Sequence, residues 1–163
     1  MFYKSIKIYV TLFFLMVSVV QLKAQNPYDV STEQALNSLQ AAKKKAEEMN
    51  VLVNIAVVDA GANLKSFVRM DNSYLGSIDV AIKKAKTARY FDIDTGKLGE
   101  LTQPGGIIYN IELSNNGLIT FPGGVPIKNK DGKIIGAIGV SGGTIEEDRI
   151  IANAGADFLL TEN

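Results

Sequence analysis

The 163-residue sequence contains no cysteine and no histidine. The absence of cysteine excludes a disulfide framework, a thiol nucleophile and a sulfur-based metal site. The absence of histidine removes the commonest general base and the commonest metal ligand, which excludes Ser-His-Asp catalysis and histidine-bound zinc. Any acid–base chemistry would therefore fall to Asp59, Asp71, Lys84 or a tyrosine.

An excess of charge of one sign is also missing, because 17 basic residues balance 17 acidic residues. The sequence has no basic stripe of the kind that follows a phosphate backbone, so no nucleic-acid partner is expected. The length predicts a single domain, which can bury on the order of two-thirds of the surface of its unfolded chain.

The first 24 residues have the layout of a secretory signal peptide. Lys4 and Lys7 precede an apolar run, and Ala24 supplies a small residue for cleavage. The run has about 13 residues, fewer than the roughly 20 that span a bilayer. We expect residues 1–24 to be removed on export to the periplasm or the exterior, leaving one domain over residues 25–163 that has no membrane contact. The alternative is an uncleaved membrane anchor.

Apolar periodicity and turn residues predict an antiparallel α+β domain. One helix is expected to begin at Ser31, which forms a capping box with Gln34, and a second at Ser77, as its cap, running to about Phe91. A third helix is expected after Thr144, which forms a capping box with Glu147. The predicted strands cover residues 51–60, 64–70, 107–113, 118–121, 125–128 and 133–140, and Asp131-Gly132 supplies the last hairpin turn.

Two glycine-rich loops are candidate ligand-binding segments. In the loop containing Phe121, Gly123 and Gly124, bare backbone would let a flat ligand approach while the phenyl ring stacks on it. The alternative is a loop that needs positive φ at both glycines. Gly142 and Gly143 join a strand to a helix N-terminus, where free N–H groups favour a carboxylate or phosphate. The alternative there is a tight turn whose helix end is satisfied by its own acidic residues.

A few cationic and hydroxyl side chains are further candidates. Arg69 is expected at a strand end, where it would bind a carboxylate or propionate, or form an ion pair with Asp71, Asp79 or another acidic residue. Lys84 and Thr87 lie three residues apart on one predicted helix and are therefore neighbours. They would hold an anionic group at a pocket edge, or belong to a solvated basic face. The tyrosines at three loop and helix positions are candidate stacking partners or phenolate ligands: Tyr74, Tyr90 and Tyr109.

Several motifs together are typical of one family. They are GGVPI at 123–127, GAIGVSGG at 136–143, Asp148, VVDAG at 57–61, RMD at 69–71 and AIKKAKTA at 81–88. On these residues the sequence resembles the GlcG/HbpS family, which also occurs as the C-terminal domain of PduO-type proteins. The resemblance covers the chain after about its first thirty residues. It implies a profilin-like fold of about five antiparallel strands flanked by helices.

The resemblance also implies a small-molecule ligand, haem or another tetrapyrrole, and a homo-oligomer. Without histidine, iron would be bound by tyrosine, methionine, a hydroxyl or water, and Arg69 and Lys84 would hold the propionates. The alternatives are an enzyme that acts on a small organic acid and a structural or sensory oligomeric module. No constellation of side chains points to a reaction, so we favour ligand binding over catalysis and assign neither a catalytic residue nor a metal site.

Overall fold

The computed structural model describes residues 28–161, and the predicted signal peptide lies outside this range. In chain order the helices and strands are α1 (Thr32–Met49), β1 (Asn54–Asp59), β2 (Leu64–Arg69), α2 (Ser77–Phe91), α3 (Thr95–Thr102), β3 (Gly124–Lys128), β4 (Ile134–Ser141) and α4 (Ile145–Thr161). A single 3₁₀ turn over Ile111–Leu113 precedes β3. Within the described range no helix is long and apolar enough to cross a membrane.

The strands form one antiparallel sheet in the order β2-β1-β4-β3. This confirms the predicted α+β class, with four strands in the described residues where about five were expected. β1 and β4 are the central strands, in agreement with their almost continuously apolar sequences. Helices α1 and α4 pack on one face of the sheet and α2 packs on the other.

The two faces of the sheet carry side chains of different size. The face under α1 and α4 buries large aliphatic residues, which include Ile55, Ile127, Ile138 and Ile151. The face under α2 buries mainly alanine: Ala56, Ala81, Ala85, Ala88 and Ala137, together with Val58. Because strand side chains alternate between faces, this division follows directly from the alternation of large and small residues along β1 and β4.

Local sequence signals account for several helix and strand ends. Ser31 and Gln34 form the predicted capping box, with each side chain accepting a hydrogen bond from the backbone of the other residue. Thr144 and Glu147 form the second predicted box, at 2.8 Å and 3.3 Å. Gly132 adopts φ +78° in the β3–β4 turn, as expected for an Asp-Gly hairpin. The capping role predicted for Ser77 is wrong, because Gly76 is the N-cap residue of α2 and no side chain caps it.

The strands predicted over Ile107–Leu113 and Leu118–Phe121 are wrong. Ile107 and Leu113 are 85% and 83% exposed, so the ends of the first segment pack against no partner strand. The backbone after them is held by local and side-chain partners instead of a ladder. The N–H of Leu118 donates to the carbonyl oxygen of Glu112, and that of Ile119 donates to a side chain of α2. Hydrogen bonds of this kind satisfy the backbone of an irregular segment without a strand.

Candidate functional site

A buried ion pair joins α2 to α4 at the end of β4. The side chain of Lys84 is fully buried, and its Nζ lies 2.7 Å from Oδ2 of Asp148. The same ammonium donates a hydrogen bond of 2.9 Å to the carbonyl oxygen of Val140. A solvated basic face is therefore wrong for Lys84. A bound anion would have to compete with Asp148 for this ammonium.

The first glycine loop closes over this ammonium. Nζ of Lys84 lies 4.7 Å from the centroid of the Phe121 ring, a cation–π contact. Gly123 adopts φ +116°, and a Cβ there would lie 2.8 Å from the same Nζ. The residue is therefore glycine both for its backbone conformation and for the space that the ammonium occupies.

Gly124 differs from the expectation of two positive φ angles. It is the first residue of β3 and does not have a positive φ. Its constraint is steric, because a Cβ there would lie 2.5 Å from the carbonyl oxygen of Lys84 and from Cγ2 of Thr95. The Gly124 N–H donates to Thr95 Oγ1 at 2.9 Å. Thr95, which the sequence did not single out as a site residue, thus fixes this end of β3.

Burial shifts the pKa values of both ions in opposite directions. Loss of hydration lowers the pKa of Lys84 and raises the pKa of Asp148, because it penalises the charged form of each group. In both cases the opposite charge of the partner acts against this shift. Each charged group is therefore tolerated in the interior only because the other compensates its charge.

Thr87 lies next to the pair on α2 and is also buried. Its Oγ1 accepts a hydrogen bond of 3.1 Å from the N–H of Ile119. This contact holds the segment before Phe121 against the helix. In the structure Thr87 thus positions the loop that covers Lys84.

The second glycine loop lines a cavity of about 530 Å³, called here the turn cavity. Tyr74 is 73% exposed and Leu52 is also exposed, so an aromatic and an aliphatic side chain stand at its surface. Arg69 does not line the cavity, but its Nη2 donates to the carbonyl oxygen of Ser73, a lining residue, at 3.1 Å. The lining residues are Asn50, Val51, Leu52, Asn72, Ser73, Tyr74, Gly142, Gly143, Thr144 and Glu147.

Asp148 connects the turn cavity to the buried pair. Its Oδ1 accepts a hydrogen bond of 3.0 Å from the Gly143 N–H, while Oδ2 binds Lys84. The structure thereby brings the predicted residues into two linked groups. Gly142 and Gly143 line the turn cavity and Arg69 hydrogen-bonds to its lining residue Ser73, whereas Lys84, Thr87, Phe121, Gly123 and Gly124 belong to the surroundings of the buried pair.

The helix end at the turn cavity is largely satisfied by its own acidic residues. The N–H of Gly143 binds Asp148 and that of Thr144 binds Glu147. The alternative interpretation of this loop as a tight turn accounts for these donors. For Arg69, an ion pair with Asp71 or Asp79 is wrong, since within residues 28–161 it forms none and Asp79 binds Lys83. Within the described residues the guanidinium thus has no acidic partner, and it donates to the carbonyl oxygen of Ser73.

Asn54 is a site residue that sequence reasoning did not assign. It is fully buried at the start of β1, and its Nδ2 donates to the carbonyl oxygen of Tyr74 at 3.1 Å. This bond fixes the backbone that carries the exposed tyrosine. The available signal was a single amide in an otherwise apolar strand. In the described part of the chain no group of three or more acidic side chains forms a metal site.

Comparisons with known proteins identify the family. Residues 30–157 match the family model described as "Haem degrading protein HbpS-like". The chain is 38% identical over 136 residues to an uncharacterized 15.0 kDa protein of Citrobacter freundii from the dhaT-dhaS intergenic region, which covers 83% of this chain and 95% of that protein.

Two solved structures have the same fold. The Klebsiella pneumoniae protein ORFY superposes with a TM-score of 0.81 at 34% identity, over 88% of this chain and 99% of that one. The PduOC–haem complex superposes with a TM-score of 0.74 at 32% identity, over 78% of this chain and 93% of that one. With the family model matching most of the sequence, this chain belongs to the HbpS-like family, as its glycine loops and helix motifs indicated.

Proposed function

We propose that this protein binds a tetrapyrrole of the haem type and that the turn cavity is the site. The observation that carries the proposal is the haem complex of PduOC, which shares the fold at 32% identity. The turn cavity supports it with a volume of about 530 Å³, which lies in the usual range for small-molecule sites. Tyr74 and Leu52 offer an aromatic and an apolar surface to a flat ring.

The side chains present fit a tetrapyrrole that is held without nitrogen ligands. The sequence has no histidine, and the polar groups around the cavity come from tyrosine, asparagine, serine, threonine and glutamate. Tyr74 would stack on the ring or approach iron through its phenolic oxygen, and Arg69 would bind one propionate. Glu147 would repel a propionate at the other end of the cavity. When bound, haem would supply a redox-active iron.

A haemin titration followed by absorption spectroscopy tests this proposal. We expect a shifted Soret band, weak binding that weakens further with salt, and no low-spin bands of two nitrogen ligands. Arg69→Ala should reduce the affinity several-fold because a charge-assisted hydrogen bond to a propionate is lost. Lys130→Ala, in the exposed β3–β4 turn, is the matched loss of one positive charge and should bind like the wild type.

Two outcomes would contradict the proposal. Tight, salt-insensitive binding that is unchanged in Arg69→Ala would place the ligand elsewhere. Absence of any spectral change with haemin would refute tetrapyrrole binding and shift weight to an organic-acid ligand.

Export and self-association complete the proposed function. The layout of residues 1–24 supports export with cleavage near Ala24. The exposed Ile107 and Leu113 support contact between copies, since exposed apolar side chains are commonly covered in an assembly. N-terminal sequencing of protein recovered outside the cytoplasm should begin near residue 25. Recovery of the chain with Met1 intact in a membrane fraction would contradict export.

A further inference from the structure

A second cavity lies between α3, β3 and α4, and we call it the basic groove. It has a volume of about 430 Å³. It shares no lining residue with the turn cavity, so it is a separate site. Its lining residues are Asp92, Ile93, Asp94, Lys97, Val125, Pro126, Lys128, Arg149, Asn153, Ala156, Asp157 and Leu160.

Three cations from three different structural elements line the basic groove. Lys97 belongs to α3, Lys128 to β3 and Arg149 to α4. Within residues 28–161 none of the three has an acidic oxygen within 4.0 Å, although five other cations of the chain form such pairs. The groove thus offers three cations that form no ion pair among the described residues, although three aspartates also line it.

The acidic residues of the basic groove are used elsewhere or lie too far from the arginine. Asp92 pairs with Arg89. Asp94 caps α3, where its Oδ1 accepts hydrogen bonds from the N–H groups of Gly96 and Lys97. Asp157 lies two turns along α4 from Arg149, a separation of about 12 Å along the helix axis. An external carboxylate is therefore the natural partner of these cations.

The β3 side of the basic groove disfavours a peptide as the occupant. β3 is an edge strand, and the Gly124 N–H points away from β4 to Thr95. Pro126 and Lys128 share this outward direction because backbone groups alternate along a strand. Pro126 has no N–H, and the Gly124 N–H is already bonded to Thr95. An added strand would therefore find one outward N–H donor on β3, that of Lys128. Proline and lysine at an edge are typical devices against strand addition.

Apart from Asn153, the remaining lining of the basic groove is apolar and comes from Ile93, Val125, Pro126, Ala156 and Leu160. We propose that the groove binds a small dicarboxylate with a short apolar body, with one carboxylate on Arg149 and the other shared between Lys97 and Lys128. The guanidinium would bind its carboxylate through two parallel hydrogen bonds, and the apolar body would cover Val125 and Pro126. This ligand class goes beyond the tetrapyrrole proposed for the turn cavity.

The test is a titration of the ¹⁵N-labelled protein with glutarate, without haemin, followed by amide chemical shifts. We expect saturable shifts at Val125, Lys128 and along α4 beside Arg149, which weaken with salt. Arg149→Gln should reduce the affinity about tenfold or more, in line with the loss of a charge-assisted pair. Lys128→Gln should reduce it several-fold, and Lys130→Gln, outside the groove, should leave it unchanged.

The contradicting outcomes are distinct from those for the turn cavity. No saturable shift with glutarate, or equal affinity in Arg149→Gln and wild type, would overturn the proposal even if haemin binds. Equally strong binding of inorganic phosphate would overturn the role of the apolar body. Each variant is first checked by circular dichroism. If Arg149→Gln does not fold, the contrast between Lys128→Gln and Lys130→Gln decides.

Discussion

The two faces of the sheet differ in the size of the side chains they bury and in how closely a helix packs on them. Under α1 and α4 the sheet buries isoleucine, valine and leucine, whose area provides most of the hydrophobic stabilisation. Under α2 it buries mainly alanine, which contributes little area for each residue. At Gly139, a Cβ would lie only 2.1 Å from the carbonyl oxygen of Ala81. The small residues therefore bury less apolar area, and they allow α2 to pack closely against the sheet.

Close approach of α2 has a consequence at the functional site. It brings Lys84 to the end of β4, where the ammonium meets Val140 and reaches Asp148 on the helix that covers the opposite face. The ion pair thus connects the two helical layers. Asp148 in turn holds the Gly143 N–H at the turn cavity. The face under α1 and α4 thus provides most of the hydrophobic stabilisation, whereas the face under α2 positions Lys84 beside Asp148.

The largest effect is expected from breaking the ion pair on one side only. Lys84→Met or Asp148→Asn alone should lower the free energy of unfolding by about 3–5 kcal/mol, because each leaves an uncompensated buried charge. The double variant should recover most of this loss. Urea denaturation of the four proteins measures the coupling. Additive losses would show that the two side chains act independently.

The next largest effect is expected from substitutions at two adjacent residues of β4 whose side chains lie on opposite faces of the sheet. Ile138→Ala removes buried aliphatic volume under α1 and α4 and should cost about 2–5 kcal/mol. Ala137→Gly, on the face under α2, should cost about 0.5–1 kcal/mol. Urea denaturation checks both values. Equal losses would contradict the division between the faces.

A smaller effect is expected from adding one methyl group under α2. Gly139→Ala should cost about 1–3 kcal/mol, because the helix and sheet backbones must move apart. Gly76→Ala is the matched control, since nothing lies within 4 Å of a Cβ there. Thermal unfolding followed by circular dichroism compares the two. A similar melting temperature for both variants would contradict close helix approach.

The smallest effect concerns the segment that leads to Phe121. The Thr120 hydroxyl donates a hydrogen bond of 2.6 Å to Glu112, and this bond lowers the pKa of the carboxyl group. The resulting stabilisation is fully present at a pH above the ordinary pKa of a glutamate, about 4.5. It is lost as the pH falls through the lower pKa of Glu112 in the folded state. Glu112→Gln should therefore lower the free energy of unfolding at pH 7 by about 1 kcal/mol at most, seen as a small drop in melting temperature. The difference should vanish in strong acid, and its persistence there would contradict this role.

Sequence patterns predicted the parts of the molecule that depend on local chemistry. Capping boxes at Ser31 and Thr144 and the Asp-Gly turn each need only a few adjacent residues, and all three were confirmed. The strand predicted at Ile107–Leu113 was wrong because an apolar pattern does not reveal whether a partner strand exists.

The site was harder to predict, because its key contacts join residues distant in sequence. Lys84 and Asp148 are 64 positions apart, and each looks like an ordinary helix surface charge in its own segment. Positive φ was one of the two alternatives for Gly123, yet the reason for a glycine there also includes the ammonium of Lys84. The basic groove was missed for the same reason, since its cations come from three separate elements.

The most direct test of the proposed function is to locate a bound tetrapyrrole on the protein. Metal-free protoporphyrin IX can be titrated into ¹⁵N-labelled protein and its binding followed by amide chemical shifts. Because this ring carries no iron, iron ligation cannot contribute to the binding. The proposal predicts shifts concentrated at Leu52, Tyr74, Gly142 and Gly143, at the turn cavity. Shifts concentrated at the basic groove or on the outer side of α2, or no shifts at all, would contradict it.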